Sequence, residues 1–197
     1  LLNALIGGLF HTGMAVYFLP LTRDLGVSYT KLSLPFALRA LEGGIEGPIA
    51  GFAVDRFGPK LVIVVGVVMG GLGFILLSVT QSYLMFLFVF LGVLAVGVSA
   101  PFHGFAMAIN LWFRRRLGIA MSLSQSGSAI GGFALTNAVA WVVLTQGWRW
   151  AAFISGVILL VAGLYLALKI RRPIGNEAAG DDPSPLPSPS GRGLRES

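Results

Sequence analysis

The chain has 197 residues, 55% hydrophobic and 11% charged, with 14 Lys and Arg against 8 Asp and Glu for a formal net charge of +6. A soluble domain carries about twice that charged fraction, so these figures and a mean hydropathy of +0.83 exclude an ordinary cytosolic enzyme. With no cysteine and 2 histidines, disulfides, thiolate sites and cysteine nucleophiles are excluded, and neither a metal nor a cofactor is expected.

A bilayer core about 30 Å thick takes about 20 apolar residues of helix. Six such runs occur, at about 1–21, 33–54, 61–80, 84–113, 118–145 and 150–170. The expected fold is an all-α integral membrane protein, with six transmembrane helices in residues 1–172 and a cytoplasmic tail over 173–197.

The first run holds His11 and Tyr17. It starts at Leu1 inside a hydrophobic stretch with no charged leader, so the chain is expected to be truncated upstream. In the second run Arg39, Glu42 and Glu46 share one helix face through spacings of three and four. Each ionised group costs about 2.5–3.5 kcal/mol at the bilayer centre, so such residues face protein or water and mark transport paths. An internal pair of Arg39 with Glu42 that ties helices together is the plain structural alternative. It leaves Glu46 to pair with a basic residue elsewhere or to exchange a proton.

Between the second and third runs lies Gly51-Phe-Ala-Val-Asp55-Arg56-Phe-Gly58-Pro-Lys60. Gly51 is suited to close backbone approach, Asp55 to ending a helix, Gly58 to a tight reversal, and Arg56 with Lys60 to anchoring the loop at the cytoplasmic face. The fourth run contains Pro101, where a bend is expected, together with His103 and Asn110. In the fifth run Ser124, Gln125 and Ser126 suit interhelical hydrogen bonds. Glycines one turn apart at Gly43, Gly47 and Gly51, at Gly66 and Gly70, and at Gly127 and Gly131 are read as packing grooves. Each histidine is either a hydrogen-bonded packing residue or a group that binds an anion or relays a proton.

After the last run, Pro183, Pro185, Pro187 and Pro189 alternate in a Pro, Ser and Gly-rich stretch that cannot bury enough apolar area to fold, and disorder is expected. Basic residues sort by connection. Arg56, Lys60, Arg114, Arg115, Arg116, Lys169, Arg171 and Arg172 follow the even runs, and only Arg23, Lys31 and Arg149 follow the odd ones. By the positive-inside rule both ends are expected in the cytoplasm, so the basic excess serves orientation and no nucleic-acid partner is implied. The glycines lie inside apolar runs with no Gly-Lys-Ser/Thr after them, which excludes a nucleotide-binding loop. No catalytic pairing or nucleophile motif occurs at helical spacing, so no enzyme is expected.

The Gly51 to Lys60 segment resembles the signature loop between the second and third helices of the major facilitator superfamily. Ala53 stands at the family's usual leucine and Pro59 at its first basic position after the second glycine. Trp112-Phe-Arg-Arg-Arg-Leu-Gly118-Ile-Ala-Met, followed by Ser126-Gly127 and Gly131-Gly132, is similar to the join of helices four and five in the monocarboxylate-transporter-like branch. Gly147-Trp148-Arg149-Trp150 is also typical of the start of helix six. The fourth-helix arginine of drug-proton exporters has no counterpart in 86–92, and the antiporter proline is absent near Gly127 and Gly131.

The resemblance implies one six-helix half of a two-half, gradient-driven transporter of the plasma or bacterial inner membrane. It would move a small organic anion such as a monocarboxylate by alternating access, with proton symport. Arg39, His11, His103, Tyr17 and Asn110 are the substrate-binding candidates. Glu42 and Glu46 are the coupling or charge-balance candidates, and Gly51, Asp55, Arg56, Gly58 and Lys60 form the gating loop. The implied partners are a small-molecule substrate, protons, the lipid bilayer, and a missing C-terminal half or a second copy. The alternative is an inactive or scaffold-like half.

Overall fold

The computed structural model describes residues 2–112 and 117–169, which form six continuous helices and no strand among the described residues. They are α1 (Leu2–Asp24), α2 (Tyr29–Phe57), α3 (Pro59–Ser78), α4 (83–112), α5 (Leu117–Gln146) and α6 (Trp148–Lys169). Each lies within a few residues of its apolar run. The 114–116 arginines and the 173–197 tail fall outside the described residues.

The helix ends follow local chemistry. Ser28 Oγ accepts the Lys31 amide at 3.3 Å and Ser82 Oγ accepts the Met85 amide at 3.3 Å, which starts α2 and α4 by satisfying amides that have no helical partner. The reversal from α2 to α3 turns on Gly58, whose φ of 81° and ψ of 153° suit a residue without a Cβ. Pro59 follows as the first residue of α3, where its fixed φ favours helix and its missing N–H is not needed. Asp55 does not end α2, which runs on to Phe57.

Five of the six helices are long and apolar enough to cross a membrane, and α2 is the exception. The reason is the charged cluster itself, because every 18-residue stretch of α2 contains at least three ionisable residues.

In the packing, α3 is central, with α4 on one side and α6 on the other, while α1 lies along α5 and α2 along α4. Close approach in these seams is bought by missing side chains. A Cβ on Gly70 would stand 3.1 Å from the Gly97 carbonyl oxygen, and one on Gly71 would stand 3.1 Å from that of Gly156. An aromatic cluster fills the space between α1, α2, α3 and α4, with Phe90 stacked on Phe86 at 5.3 Å and on Phe10 at 6.1 Å, and tilted against Phe36 at 4.8 Å. Large apolar side chains cover the outside, Leu144 being 85% exposed and Phe133 78%. Exposure on that scale fits a lipid or partner-chain environment.

Three helices contain π-helical segments, at Gly7–Thr12 in α1, Phe88–Leu94 in α4 and Leu159–Gly163 in α6. The wider turn leaves backbone groups less well paired. In α1 the Thr12 hydroxyl lies 3.3 Å from the Gly7 carbonyl and 3.4 Å from that of Gly8, and it also meets Thr136 Oγ1 of α5 at 2.6 Å.

Candidate functional site

Three ionisable residues of α2, Arg39, Glu42 and Glu46, come together midway along the helix. Arg39 Nη1 donates to Glu46 Oε2 at 2.9 Å, whereas Glu42 Oε2 is 3.9 Å from the same nitrogen. Arg39 thus pairs with both carboxylates, hydrogen-bonded to Glu46 two turns on and in a looser ion pair with Glu42 one turn on. Spacing of three and four put all three on one face, but side-chain reach along that face selected the closer partner. Arg39 Nη2 also donates to the Ala95 carbonyl at 3.4 Å, immediately after the π-helical segment of α4. Arg39 and Glu46 are about equally enclosed, at 16% and 15% side-chain exposure, and Glu42 is more open at 35%. Two enclosed polar atoms, Arg39 Nε and Glu42 Oε2, have no hydrogen-bond partner, which is costly unless a further group arrives to meet them.

His103 faces this helix from α4. Its Nδ1 is 2.9 Å from the Ser99 carbonyl oxygen, and a Cβ built on Gly47 of α2 would stand 3.8 Å from its Nε2. Phe102 links the two histidines, edge-on to His103 at 5.6 Å and to His11 at 6.3 Å. His11 itself sits on the π-helical segment of α1. Histidines far apart in sequence and the α2 triad thus line one side of the molecule, formed by α1, α2 and α4.

Tyr17 stands elsewhere. It is fully buried, and its hydroxyl meets Ser155 Oγ of α6 at 3.1 Å, which makes it a tie between α1 and α6. The Asn110 side chain lies outside the described residues. Ser124 and Gln125 meet Asn3 of α1, whose Nδ2 donates to Ser124 Oγ at 3.1 Å and to Gln125 Oε1 at 3.4 Å, while Ser126 donates to Ser122 within α5.

In the loop after α2, Arg56 lies over the ring of Phe57 at 5.7 Å. Asp55 and Lys60 have no ion-pair partner among the described residues. A Cβ on Gly51 would meet nothing within 4 Å, so the close backbone approach expected there does not occur among the described residues.

A second polar centre, which residue patterns alone did not single out, joins three helix ends. Arg149 Nη1 donates to the carbonyls of Ser78 at 3.2 Å and Thr80 at 2.9 Å, its Nε is 3.5 Å from Asp24 Oδ2, and Trp148 Nε1 donates to the same Asp24 oxygen at 2.8 Å. The guanidinium also lies over the Trp148 ring at 4.6 Å. A depression of about 230 Å³ lined by Ser78, Arg149, Trp150 and Phe153 adjoins this centre. Arg149 is engaged by two backbone carbonyls and Asp24 there, whereas the α2 cluster keeps two enclosed polar atoms without a partner. The signal available in the sequence was the lone arginine of the Gly147-Trp148-Arg149-Trp150 turn.

Comparison with known proteins agrees with this architecture. The family model described as Major Facilitator Superfamily matches residues 1–194. Monocarboxylate transporter 6 of Mus musculus is 31% identical over 182 residues, covering 91% of this chain and 37% of that protein. An MFS transporter of Aspergillus flavus is 31% identical over 147 residues, 74% of this chain and 31% of its own length. The Fujikurins efflux protein of Gibberella fujikuroi is 28% identical over 125 residues, 64% of this chain and 27% of its own length. The chain thus spans between 27% and 37% of the length of these relatives.

Proposed function

This chain belongs to the major facilitator superfamily, and we propose that it forms one six-helix half of a transporter that moves a small organic anion, a monocarboxylate being the best-supported class, together with a proton. The observation that carries this reading is the Arg39–Glu46 ion pair at 2.9 Å, both side chains largely enclosed, midway along α2 of a mostly apolar bundle. Arg39 supplies a cation for a carboxylate. Glu42 and Glu46 set the charge balance: with one cation and two anions the triad sums to one negative charge, which repels an entering anion until one proton is taken up. Similarity to monocarboxylate transporters of mouse and chicken supports the substrate class.

The open faces of α2 and α5 support a second six-helix unit as partner, either a C-terminal half or a second copy. On α2, Leu41, Ile45 and Phe52 are 71%, 67% and 64% exposed, and on α5, Leu123 and Ile130 are 73% and 71% exposed. The distribution of basic residues supports both ends in the cytoplasm of a plasma or bacterial inner membrane. The Asp55 to Lys60 loop would then meet the partner on that side.

The test is uptake of labelled lactate by liposomes containing the chain, under an inward proton gradient. Uptake above empty liposomes that Arg39→Ala reduces at least about tenfold, one lost charge-assisted contact, supports the reading. Uptake by the wild type equal to that of empty liposomes, in vesicles where cross-linking shows the assembled form, overturns transport by this chain and leaves the scaffold-like half.

A further inference from the structure

His103 is set up to do something that packing does not require. A carbonyl oxygen can only accept a hydrogen bond, so the 2.9 Å contact between His103 Nδ1 and the Ser99 carbonyl commits the proton of the neutral ring to Nδ1. Nε2 is left as a bare acceptor, and it has no hydrogen-bond partner among the described residues. It points at α2 where a side chain is missing, because the single atom within 4 Å of a Cβ on Gly47 is this nitrogen, at 3.8 Å. The ring is held at a second edge by Phe102 at 5.6 Å. A histidine with a fixed tautomer, a free lone pair and open space in front of it is arranged to gain and lose one proton.

We propose that His103 is the proton acceptor of this site, taking a proton on Nε2 in the gap beside Gly47 as the solute enters. This rests on the transport reading above. The step is a proton transfer alone: the Nε2 lone pair takes a proton from hydronium, leaving water, the ring becomes imidazolium, and release gives the proton back to water as hydronium on the other side. The charged groups around it come from α2, with Arg39, Glu42 and Glu46, and from α1, with His11. Over its described residues α5 has no ionisable residue, and α3 has only Lys60, near its start. With one cation and two carboxylates, the α2 triad sums to a single negative charge. With His103 protonated the site sums to zero and admits an anion without net repulsion. Glu46 is less suited to this task, since protonating it would give up its 2.9 Å charged contact with Arg39 and leave Arg39 only the looser one to Glu42 at 3.9 Å.

With 2 histidines in the chain, the experiment is direct. The full chain carrying His11→Gln, labelled with ¹⁵N-histidine in lipid nanodiscs, is titrated by NMR from about pH 9 to 5. The expected result is a protonated Nδ1 and bare Nε2 at high pH, with one protonation step at Nε2. Gly47→Ala should leave that step in place, because its Cβ would make only ordinary contact. Gly47→Leu should remove it or move it by at least about tenfold in proton concentration. A protonated Nε2 at high pH, no step in this range, or a step untouched by Gly47→Leu overturns the proposal, with circular dichroism confirming that each variant is helical. Lactate then separates the two readings. A step present but unmoved by lactate removes the carboxylate reading and leaves His103 as a proton site. Proton uptake on adding lactate that persists in His103→Gln supports carboxylate binding and overturns His103 as the acceptor.

Discussion

Gly66 and Gly70 on α3 and Gly43, Gly47 and Gly51 on α2 are spaced alike, one helical turn apart, yet they meet opposite surroundings. On α3 a Cβ would strike neighbouring helices, that on Gly66 coming within 3.1 Å of Ala100 Cβ and that on Gly70 within 3.1 Å of the Gly97 carbonyl. On α2 a Cβ at Gly43 or Gly51 would meet nothing within 4 Å, and one at Gly47 would meet His103 alone. A glycine stripe is therefore a seam in one helix and an open groove beside charged residues in the other. The closed seams hold the helices together, and the open stripe lies on the side where Arg39, Glu42, Glu46 and His103 gather.

The largest effect is expected at the seam. Gly97→Val would place a Cβ 2.8 Å from the Met69 carbonyl carbon, a backbone atom that cannot move aside, and should cost about 3 kcal/mol or more. Size-exclusion chromatography in detergent should show aggregation or a lost monodisperse peak, and a wild-type profile would break the contrast between the two stripes. An intermediate effect is expected where α6 is tied to α3 and α1. Arg149→Ala leaves the Ser78 and Thr80 carbonyls without their donor, at a cost of about 1–2 kcal/mol. The ion pair to Asp24 adds little, because its members are 40% and 46% exposed. The midpoint of denaturant unfolding followed by circular dichroism reads this, and a change below the error of the measurement would remove the tie from the set of contacts that hold α6.

The smallest effect, and of opposite sign, is expected on the open stripe. Gly43→Ala fills empty space and should raise stability by about 0.5–1 kcal/mol through reduced freedom of the unfolded chain. A loss of stability in the same unfolding measurement would mean that the α2 groove is occupied in the assembled protein, which would sharpen the contrast into one between internal and external seams.

The helices were legible because lipid imposes a length. The apolar run at 33–54 became α2 at Tyr29–Phe57 and the run at 150–170 became α6 at Trp148–Lys169, and charge or turn residues mark each limit. The site was legible in part. A shared face for Arg39, Glu42 and Glu46 follows from the helical period, but the choice of Glu46 over Glu42 depends on how far the side chains extend along α2 and on the Ala95 carbonyl of α4. Nothing in the pattern of residues announces the π-helical segments, since Phe88–Leu94 reads as ordinary apolar helix. Likewise Tyr17 looks like a polar candidate in span one until its hydroxyl is seen to meet Ser155.

Composition and spacing by themselves determined the solvent of this protein, its helical class, the order of its apolar runs and the presence of ionisable groups within one of them. These follow from local quantities: the cost of an unpaired backbone in lipid, the rise per residue of a helix, and the cost of burying charge. Tertiary structure alone decided which glycines touch another backbone and which polar groups of different helices meet. Those depend on atoms brought together from distant parts of the chain, as Gly70 meets Gly97, His103 meets Gly47 and Arg149 meets Asp24, and no spacing within a single helix contains that information. The carboxylate that Arg39 bonds and the carbonyl that His103 bonds lie on their own helices, and there side-chain conformation made the choice.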